Sequence, residues 1–496
     1  MLLTSLVENL TFVRLQGELN REVMALAFDS RQVSDANTLF VAIGGFNADG
    51  HDHILEAIAS GATIIIVERN LLINAPVTLL KVDNARAALA RLSANFYDNP
   101  TQRLNLIGVT GTNGKTSTAY FIKSIYEQAR TPTGVISTIG TQIGDKNNKH
   151  NHTTPEAPYL QQSFDSMLKN NIGNCVMEVS SHSLSLQRID CSDFNIGVFT
   201  NLSPDHLEFH HNMEEYFQAK ASLFQRTNKV NVLNADDQYG RRLVKMSKDL
   251  GTEFITYGIE QDADISAIHI KYFANYSIFM LRTPTGNLHI RVNFPGKIYV
   301  YNALAAISCA YVDGIRLMDI KAGIEAVTAI KGRLEVVYNS DDIKVIVDFA
   351  HTEDGLAKVL ASIRPFVQGR IILVFGVYAA KGEKGNDKRR AMGGVAAHLA
   401  DIAIVTSDNP KEQDPQYIVD EVAAAIDELG GNYYKIVDRK MAIENAIDLS
   451  EKGDVILIAG KGHETSQILG AYVMPFNEAQ IVNQKIQSRS RHVVMK

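Results

Sequence analysis

Residues 108–118 read GVTGTNGKTST, and much of the chain's architecture follows from them. Residues 104–109 are apolar and rich enough in β-branched side chains to form a buried strand, whereas residues 119–128 have the pattern of a helix. A strand, a glycine-rich loop and a helix in this order are the context of a phosphate-binding loop. The stretch therefore predicts an α/β fold and a site for a nucleoside triphosphate.

The residue types of this loop suit phosphate chemistry. Gly111 and Gly114 let the backbone direct N–H groups at phosphate oxygens, and Lys115 adds a positive charge. Thr116 offers a hydroxyl to Mg²⁺. Val109 stands where the general pattern has a further glycine, so the alternative is an ordinary helix that begins at a glycine turn. The flanking strand and helix favour the phosphate-binding loop.

The composition is that of a globular enzyme with more than one domain. The chain has 496 residues and so exceeds the size at which a single hydrophobic core stops growing. A net charge of −6 argues against a protein that binds nucleic acid through bulk positive charge. The three cysteines lack CxxC spacing, which predicts neither a disulfide framework nor a zinc site.

The same features predict a cytoplasmic location. The N-terminal segment carries Glu8 and has no basic region, unlike a signal peptide. Because no apolar run is long enough to span a bilayer, no membrane insertion is expected. Sparse cysteines are typical of a reducing compartment.

Strand and helix patterns alternate in three successive units, which we predict to be domains covering residues 1–100, 101–335 and 336–496. Turn-forming residues at 98–101 mark the first boundary. The central unit has the alternation of a parallel sheet with crossover helices, and short alternating segments in residues 252–295 predict a small antiparallel sheet. The third unit has a Rossmann-like pattern, in which ligands bind at the carboxyl ends of strands.

Charged residues lie where predicted strands of the central unit end. Glu178 offers the oxygen ligands that Mg²⁺ prefers, although a glutamate at this place also caps helices. Asp205 and His206 follow the next apolar strand and suit metal binding, acid–base chemistry or a simple turn. Lys220 lies on an amphipathic helix, where the charge pattern alone indicates a solvated lysine.

Ten motifs in a fixed order cover nearly the whole chain. They are GTNGKTS, MEVSSHS, NLSPDHLEFH, YFQAKASLF, LNADD, YNALAA, KGRLE, VDFAHTEDGL, SDNPK and GKGHE. Together they resemble the Mur ligase family. Within it, AHTEDG and GKGHE are similar to the branch that adds the third residue of the peptidoglycan stem peptide.

The resemblance implies an ATP-dependent amide ligase of three α/β domains with Mg²⁺ as a cofactor. The N-terminal domain is expected to bind the UDP part of UDP-N-acetylmuramoyl-L-alanyl-D-glutamate. The central domain would bind ATP and Mg²⁺, and the Rossmann-like C-terminal domain would bind the incoming diamino acid. The family converts the D-glutamate carboxylate into an acyl phosphate, which the incoming amino group attacks. A monomeric enzyme with small-molecule substrates and no nucleic-acid partner is expected.

The resemblance also assigns roles to residues. The expected catalytic residues are Lys115, Glu178, His206 and Lys220. The expected magnesium ligands are Thr116, Glu178, His206 and Lys220, the last as a carbamate. The expected ATP contacts are Gly111, Thr112, Asn113, Gly114, Lys115, Thr116, Ser117, Asn302, Arg333 and Asp348. The expected contacts to the UDP-muramoyl dipeptide are Ser30, Phe46, Asn47, Ala48, His152, Thr153, Thr154, Ser180 and Arg188. The expected contacts to the amino acid are Lys384, Asp408, Asn409, Pro410, Lys411, Gly460 and Glu464.

The amino-acid site departs from the family pattern. Members that add meso-diaminopimelate typically carry Asp-Asn-Pro-Arg, whereas this chain has Lys411 at the last position. Lys384 stands in place of a second family arginine, in a loop that is a few residues longer. A lysine keeps the positive charge of an arginine but loses its bidentate fork.

Lys411 bears on the choice of incoming residue. Members that add L-lysine commonly lack a cation at this position, because it would repel the ammonium of the incoming side chain. Lys411 therefore favours meso-2,6-diaminopimelate. L-lysine or L-ornithine is the alternative, because residues 377–387 are altered as in lysine-adding members. Glu464 is expected to pair with the distal ammonium in either case. His152 and Leu186 differ from common family residues and affect only details of muramoyl-peptide binding.

Three other functions compete with this interpretation. A folylpolyglutamate-type or cyanophycin-type ligase would not require a UDP-binding domain, for which residues 20–67 are suited. A phosphate-loop NTPase would hydrolyse ATP without an amino acid or a muramoyl substrate. A catalytically inactive binding protein is disfavoured because Lys115, Glu178, His206 and Lys220 are all present.

Overall fold

The computed structural model describes residues 1–45, 48–150, 152–379 and 383–494. Three sheets follow one another along the chain, each covered by helices. The three-unit α/β architecture expected from the sequence is confirmed. The exact domain boundaries at residues 100 and 335 stay a prediction, and the first strand of the third sheet begins at Glu335, two residues after Arg333.

The first sheet is small and mostly parallel. Its strands are Val13–Gln16 (β1), Ala25–Ala27 (β2), Thr38–Val41 (β3), Ile64–Val67 (β4) and Thr78–Lys81 (β5), in the order β1-β5-β4-β3-β2. Its helices are Leu3–Leu6 (α1), Ile54–Ala59 (α2) and Ala85–Phe96 (α3). Strand β4, with the sequence IIIV, is buried at every position, as expected for a parallel strand covered on both faces.

The central sheet has eleven strands. They are Asn105–Thr110 (β6), Thr133–Ser137 (β7), Gly140–Ile143 (β8), Lys146–Asn148 (β9), Asn174–Glu178 (β10), Phe194–Phe199 (β11), Thr227–Asn234 (β12), Phe254–Gly258 (β13), Ile265–Tyr272 (β14), Ser277–Thr283 (β15) and Gly286–Val292 (β16). Strands β14-β13-β12-β11-β6-β10-β7 are parallel neighbours in this order. The antiparallel strands predicted for residues 252–295 form, and they extend one edge of this sheet through β15 and β16.

The central helices lie around this sheet. They are Lys115–Gln128 (α4), Ala157–Lys169 (α5), Ser181–Ser185 (α6), Leu207–His210 (α7), Met213–Phe224 (α8), Gln238–Leu250 (α9), Lys297–Val312 (α10) and Leu317–Ala326 (α11). Helix α4 begins four residues earlier than the predicted residue 119, because Gly114 adopts a φ of +86° and lets the helix start at Lys115. The first turn of α4 therefore presents its N–H groups at the end of β6.

The third sheet is Rossmann-like. Its strands are Glu335–Asn339 (β17), Ile343–Asp348 (β18), Ile371–Phe375 (β19), Ile402–Val405 (β20), Tyr433–Lys435 (β21) and Asp454–Ala459 (β22), in the order β17-β18-β22-β19-β20-β21. A separate hairpin consists of Ser466–Leu469 (β23) and Tyr472–Pro475 (β24). The helices are Glu353–Ile363 (α12), Glu383–Leu399 (α13), Pro415–Glu428 (α14), Arg439–Leu449 (α15) and Glu478–Val494 (α16).

Hydrogen bonds join the central and third units at the carboxyl ends of their parallel strands. The Nδ2 of Asn113, in the glycine-rich loop, donates to Asp354 at 2.7 Å, and the Nη2 of Arg333 donates to Thr116 Oγ1 at 2.8 Å. Because ligands of parallel sheets bind at this edge, the two units share one candidate site. Within the part of the chain that the structure describes, no helix is both long and apolar enough to cross a membrane.

Candidate active site

A cavity of about 270 Å³ lies between the glycine-rich loop and the third unit. The central unit supplies residues of the loop and of the strand ends, whereas the chain that follows α11 supplies Arg333, Asp348 and His351. The expected residues that line it are Thr112, Asn113, Gly114, Lys115, Thr116, Ser117, Thr153, Glu178, His206, Asn302, Arg333 and Asp348. The structure thus brings most of the expected ATP and metal residues together.

Two lysines converge on one carbonyl oxygen beneath this cavity. The Nζ of Lys115 donates to the Gly111 carbonyl at 3.0 Å and to the Thr112 carbonyl at 2.9 Å. The Nζ of Lys220 donates to the same Gly111 carbonyl at 3.1 Å. Only 2% of Lys220 is exposed, so the solvated lysine indicated by the charge pattern is wrong. Helix α8 turns this residue inward, against the loop.

Burial of two neighbouring ammonium groups changes their protonation. Burial lowers the pKa of Lys220 well below its usual value, and the nearby charge of Lys115 lowers it further. Burial also lowers the pKa of Lys115, against the opposing effect of Glu178 and Asp205. Both lysines therefore lose a proton more readily than a solvated lysine does, and an anion at this place would relieve the repulsion between them.

Glu178 is held by hydroxyl and amide groups at the end of β10. Its Oε1 accepts hydrogen bonds from Thr116 Oγ1 at 2.8 Å and from the backbone N–H of Thr138 at 3.1 Å. The Thr138 hydroxyl donates to both carboxylate oxygens, at 3.1 and 3.2 Å. Glu178 does not cap the next helix, because Ser180 accepts from the N–H of Ser183 there. Thr138 was not predicted from the sequence, because it belongs to none of the ten motifs.

His206 lies in a connected group of side chains from both units. Its Nε2 is 3.3 Å from Asp205 Oδ2. The Nζ of Lys388, on α13, is 3.2 Å from the other oxygen of Asp205 and 2.9 Å from the Tyr378 hydroxyl. Burial opposes the charged form of Asp205, but the neighbouring His206 and Lys388 outweigh it and hold the pKa of this carboxyl below its usual value. Lys388 and Tyr378 are functional candidates that motif matching alone did not assign.

The chemistry of the donors suits a hard divalent cation next to a triphosphate. The Thr116 hydroxyl and the Glu178 carboxylate are oxygen donors within 2.8 Å of each other at the start of α4. In the described ranges, no group of three or more His, Cys, Asp and Glu side chains converges on one point as a complete metal site. A cation here would take its other ligands from phosphate oxygens and water, as Mg²⁺ commonly does.

A second, larger cavity of about 660 Å³ adjoins the first. Both cavities are lined by Ile298 and Asn302, so the two spaces meet at α10. The Tyr301 hydroxyl donates to Asp236 at 2.7 Å on its wall, and Phe366 of the third unit also lines it. The motif LNADD contains Asp236, but no sequence pattern predicts that Asp236 and Phe366 line the same cavity.

The carboxylate of Asp348 is occupied by the backbone. Its oxygens accept from the N–H groups of Leu334 at 2.7 Å and Ala350 at 2.8 Å, and burial raises its pKa. Because residue 334 follows Arg333, this carboxylate fixes the chain that carries the guanidinium into the cavity.

The expected muramoyl-peptide residues lie beside the carboxyl end of β10. The Thr154 hydroxyl donates to the Glu178 carbonyl at 2.8 Å, and the backbone N–H of Ser180 donates to the same hydroxyl at 3.0 Å. Arg188 donates to the Thr154 carbonyl at 3.1 Å and pairs with Glu156 at 2.8 Å. Thr153 lines the phosphate cavity, and the neighbouring His152 is exposed.

The expected uridine residues belong to the first unit. The Ser30 hydroxyl donates to Glu56 at 3.1 Å, and Ala48 is exposed. Phe46 and Asn47 lie outside the described residues. Neither Ser30 nor Ala48 lines the phosphate cavity.

Of the expected amino-acid residues, Asp408, Asn409, Gly460 and Glu464 meet where β20, β22 and β23 come together. Asn409 Nδ2 donates to Glu464 at 3.1 Å, and a Cβ on Gly460 would lie 2.6 Å from Asp408 Oδ2. Asp408 and Pro410 are buried, whereas Lys411 is exposed and has a φ of +52°. Lys384 belongs to the first turn of α13, and its side chain lies outside the described part of the structure.

Three family models match successive parts of the chain. The model described as the Mur ligase family catalytic domain matches residues 22–97, the Mur ligase middle domain matches residues 109–310, and the Mur ligase glutamate ligase domain matches residues 332–462.

Individual relatives match over almost the full length. A protein of Clostridioides difficile named UDP-N-acetylmuramoyl-L-alanyl-D-glutamate–2,6-diaminopimelate ligase is 41% identical, covering 98% of this chain and 99% of its own. One of the same name from Caldanaerobacter subterraneus subsp. tengcongensis is 42% identical, covering 95% and 96%. A solved structure with this name is 28% identical, with a TM-score of 0.67, and covers 98% of this chain and 99% of its own.

Gly114→Ala tests the phosphate-binding loop. A Cβ there would lie 2.3 Å from Asn302 Oδ1, in a backbone conformation that side chains rarely adopt. We expect the dissociation constant for ADP to rise by roughly ten-fold or more, measured by isothermal titration calorimetry. Gly144→Ala is the control, because Gly144 also has a positive φ of +57° but meets nothing within 4 Å. Equal ADP affinity in the two variants would contradict the assignment of the loop.

Proposed function

Because the chain belongs to the Mur ligase family, we propose that it joins meso-2,6-diaminopimelate to the D-glutamate carboxylate of UDP-N-acetylmuramoyl-L-alanyl-D-glutamate, using ATP. One observation carries the proposal. The glycine-rich loop, the carboxylate of Glu178 and the guanidinium of Arg333 meet in one cavity between two units. The relatives that are named for this reaction match 98% and 95% of the chain.

The first step proposed is transfer of the γ-phosphoryl group to the glutamate carboxylate. A carboxylate is a poor acyl donor, and the phosphoryl group turns one of its oxygens into a good leaving group. Such a transfer requires alignment and charge neutralisation more than covalent help from the protein. Lys115 and Arg333 both line the cavity and supply positive charge to it. Enclosure between two units would exclude water, which would otherwise hydrolyse the acyl phosphate.

Thr116 and Glu178 would hold Mg²⁺, and His206 and the carbamate of Lys220 complete the proposed set of protein ligands. When bound, Mg²⁺ would neutralise the charge of the triphosphate oxygens. The hydrogen bonds from Thr138 keep the Glu178 carboxylate turned toward Thr116. Asp205 lies 3.3 Å from His206 Nε2 and Glu208 lies 3.8 Å from its Nδ1, and such a carboxylate commonly orients a histidine that binds a metal.

The structure gives Lys220 a physical reason to form a carbamate. Its depressed pKa makes the neutral amine available, and that amine can attack carbon dioxide with formation of an N–C bond and loss of a proton. The product is an anion next to Lys115, so repulsion between two cations becomes attraction. The ligand set that the family resemblance implies is therefore consistent with the electrostatics of this chain.

The larger cavity is the proposed site of the nucleoside part of ATP. It meets the phosphate cavity at Asn302, the residue expected to contact adenine. Tyr301 and Phe366 supply aromatic surface there, and Asp236 supplies a carboxylate. The proposed UDP-binding region is the first unit, around Ser30 and Ala48. We propose a monomer that acts in the cytoplasm, where ATP is available.

The amino-acid site favours a substrate with both charges at its distal end. Glu464 offers a carboxylate to an ammonium group, and the exposed Lys411 offers an ammonium to a carboxylate. The distal carboxylate is the group that distinguishes meso-diaminopimelate from L-lysine. L-lysine or L-ornithine remains the second candidate, because a lysine lacks the bidentate fork of the family arginine.

The direct test is phosphate release from ATP with UDP-N-acetylmuramoyl-L-alanyl-D-glutamate and one amino acid at a time. We expect release with meso-diaminopimelate, and much less with L-lysine or L-ornithine. Strict dependence on all three substrates separates a ligase from a plain NTPase. Release with L-lysine alone would reassign the incoming residue. Release without the muramoyl substrate would refute the proposal.

Lys220→Ala tests the proposed carbamate. We expect activity to fall by about a hundred-fold or more, since a charged group of the active site is lost. A short carboxylate such as acetate should restore part of the activity, because it can occupy the space of the carbamate. Lys245→Ala, at an exposed lysine of α9, is the matched control. Activity of Lys220→Ala near that of the control would show that the enzyme does not require a carbamate at Lys220.

Lys411→Ala tests the selectivity argument. We expect the KM for meso-diaminopimelate to rise roughly ten-fold, the effect of losing a charge-assisted hydrogen bond, while the KM for L-lysine changes little. Steady-state kinetics with both amino acids would measure this difference. Lys452→Ala, at another exposed lysine of the third unit, serves as the control. An equal rise for both amino acids would show that Lys411 does not recognise the distal carboxylate.

A further inference from the structure

A lysine that none of the expected roles includes lies at the centre of the amino-acid site. Lys461 follows β22 in the motif GKGHE, and none of its surface is exposed. Its Nζ donates to Glu464 Oε2 at 2.7 Å and to Asn409 Oδ1 at 3.1 Å. It is also 3.8 Å from Asp408. A buried ammonium thus contacts three residues that were expected to bind the incoming amino acid.

The contacts of Lys461 determine how Asn409 is oriented. The Oδ1 of Asn409 accepts from Lys461 Nζ and from the backbone N–H of Ile468, at 3.0 Å. These two donors turn the Nδ2 of Asn409 toward Glu464, to which it donates at 3.1 Å. Glu464 Oε2 therefore accepts from both Lys461 and Asn409, while a third of its side chain remains exposed to receive a ligand.

Among the carboxylates around Lys461, Glu464 keeps an exposed side. Arg439 and Glu478 form a fully buried ion pair beside this group. Asp408 is buried too, and the charges of Arg439, Lys461 and Lys388 oppose the rise that burial gives its pKa. Lys461 is 2.7 Å from Glu464 Oε2, and a third of the Glu464 side chain is exposed, so an ammonium group of the substrate can pair with Glu464 there.

We propose that Lys461 is the positioning residue of the amino-acid site. It fixes Asn409 and Glu464 in the orientation that receives the distal ammonium of the incoming diamino acid, without touching the substrate itself. The inference rests on the proposed function, because it assumes that Glu464 faces the incoming residue. A purely structural lysine, which only satisfies the buried Asp408, is the competing explanation.

Lys461→Met and Glu464→Gln, alone and combined, separate the two explanations. For Lys461→Met, we expect the KM for meso-diaminopimelate to rise by roughly ten-fold or more, with kcat and the KM values for ATP and the muramoyl dipeptide nearly unchanged. Because both residues act through one contact, the effect of Lys461→Met should be much smaller when Glu464→Gln is already present. Lys452→Met is the matched control at an exposed lysine.

Folding is checked by thermal unfolding and by ADP affinity, which do not depend on catalysis. Lys461→Gln, which keeps a donor for Asp408, replaces Lys461→Met if that variant does not fold. Additive effects of the two substitutions, an unchanged KM for the amino acid, or loss of folding in both Lys461 variants would overturn the proposal. A parent enzyme that releases no phosphate with any amino acid would instead refute the proposed function.

Discussion

Two ammonium groups share a single carbonyl oxygen at the base of the phosphate-binding loop, and the chemistry of the site depends on this contact. Lys115 and Lys220 lie 3.0 and 3.1 Å from the oxygen of Gly111. Two buried cations that donate to the same oxygen repel each other, unless anions approach or one of the two groups loses its proton. A triphosphate next to Lys115 and the proposed carbamate on Lys220 would both supply such anions. The positive charge at the base of the loop would thus favour anionic ligands.

The chain that follows α11 packs against that loop. Parallel strands of two different sheets end at the same place, so Arg333 reaches Thr116, and Asp354 reaches Asn113. Each of these contacts joins the central unit to the chain that follows it. The nucleotide would therefore bind between two bodies, and the glutamate carboxylate could be activated in an enclosed space. This arrangement explains why a phosphate-binding loop serves a ligase here.

Much of the fold was predictable, because local patterns determine it. The strand predicted over residues 104–109 forms over Asn105–Thr110, and its apolar residues are buried as expected for a central parallel strand. Roles that depend on distant contacts were not predictable. Lys220 has the sequence surroundings of a solvated lysine, yet its helix packs it against the loop. Thr138 lies 40 residues from its partner Glu178, and Lys461 contacts Asn409 more than 50 residues away, so neither role follows from a local pattern.

The most direct test is to trace the oxygen atoms of the D-glutamate carboxylate during the reaction. The D-glutamate carboxylate of the muramoyl substrate would be labelled with ¹⁸O, and the released phosphate would be analysed by mass spectrometry. An acyl phosphate requires that a carboxylate oxygen leaves with the phosphoryl group, so each phosphate should carry one labelled oxygen. Unlabelled phosphate, released while the amide product forms, would contradict the account. It would mean that the amide forms without transfer of the phosphoryl group to the carboxylate.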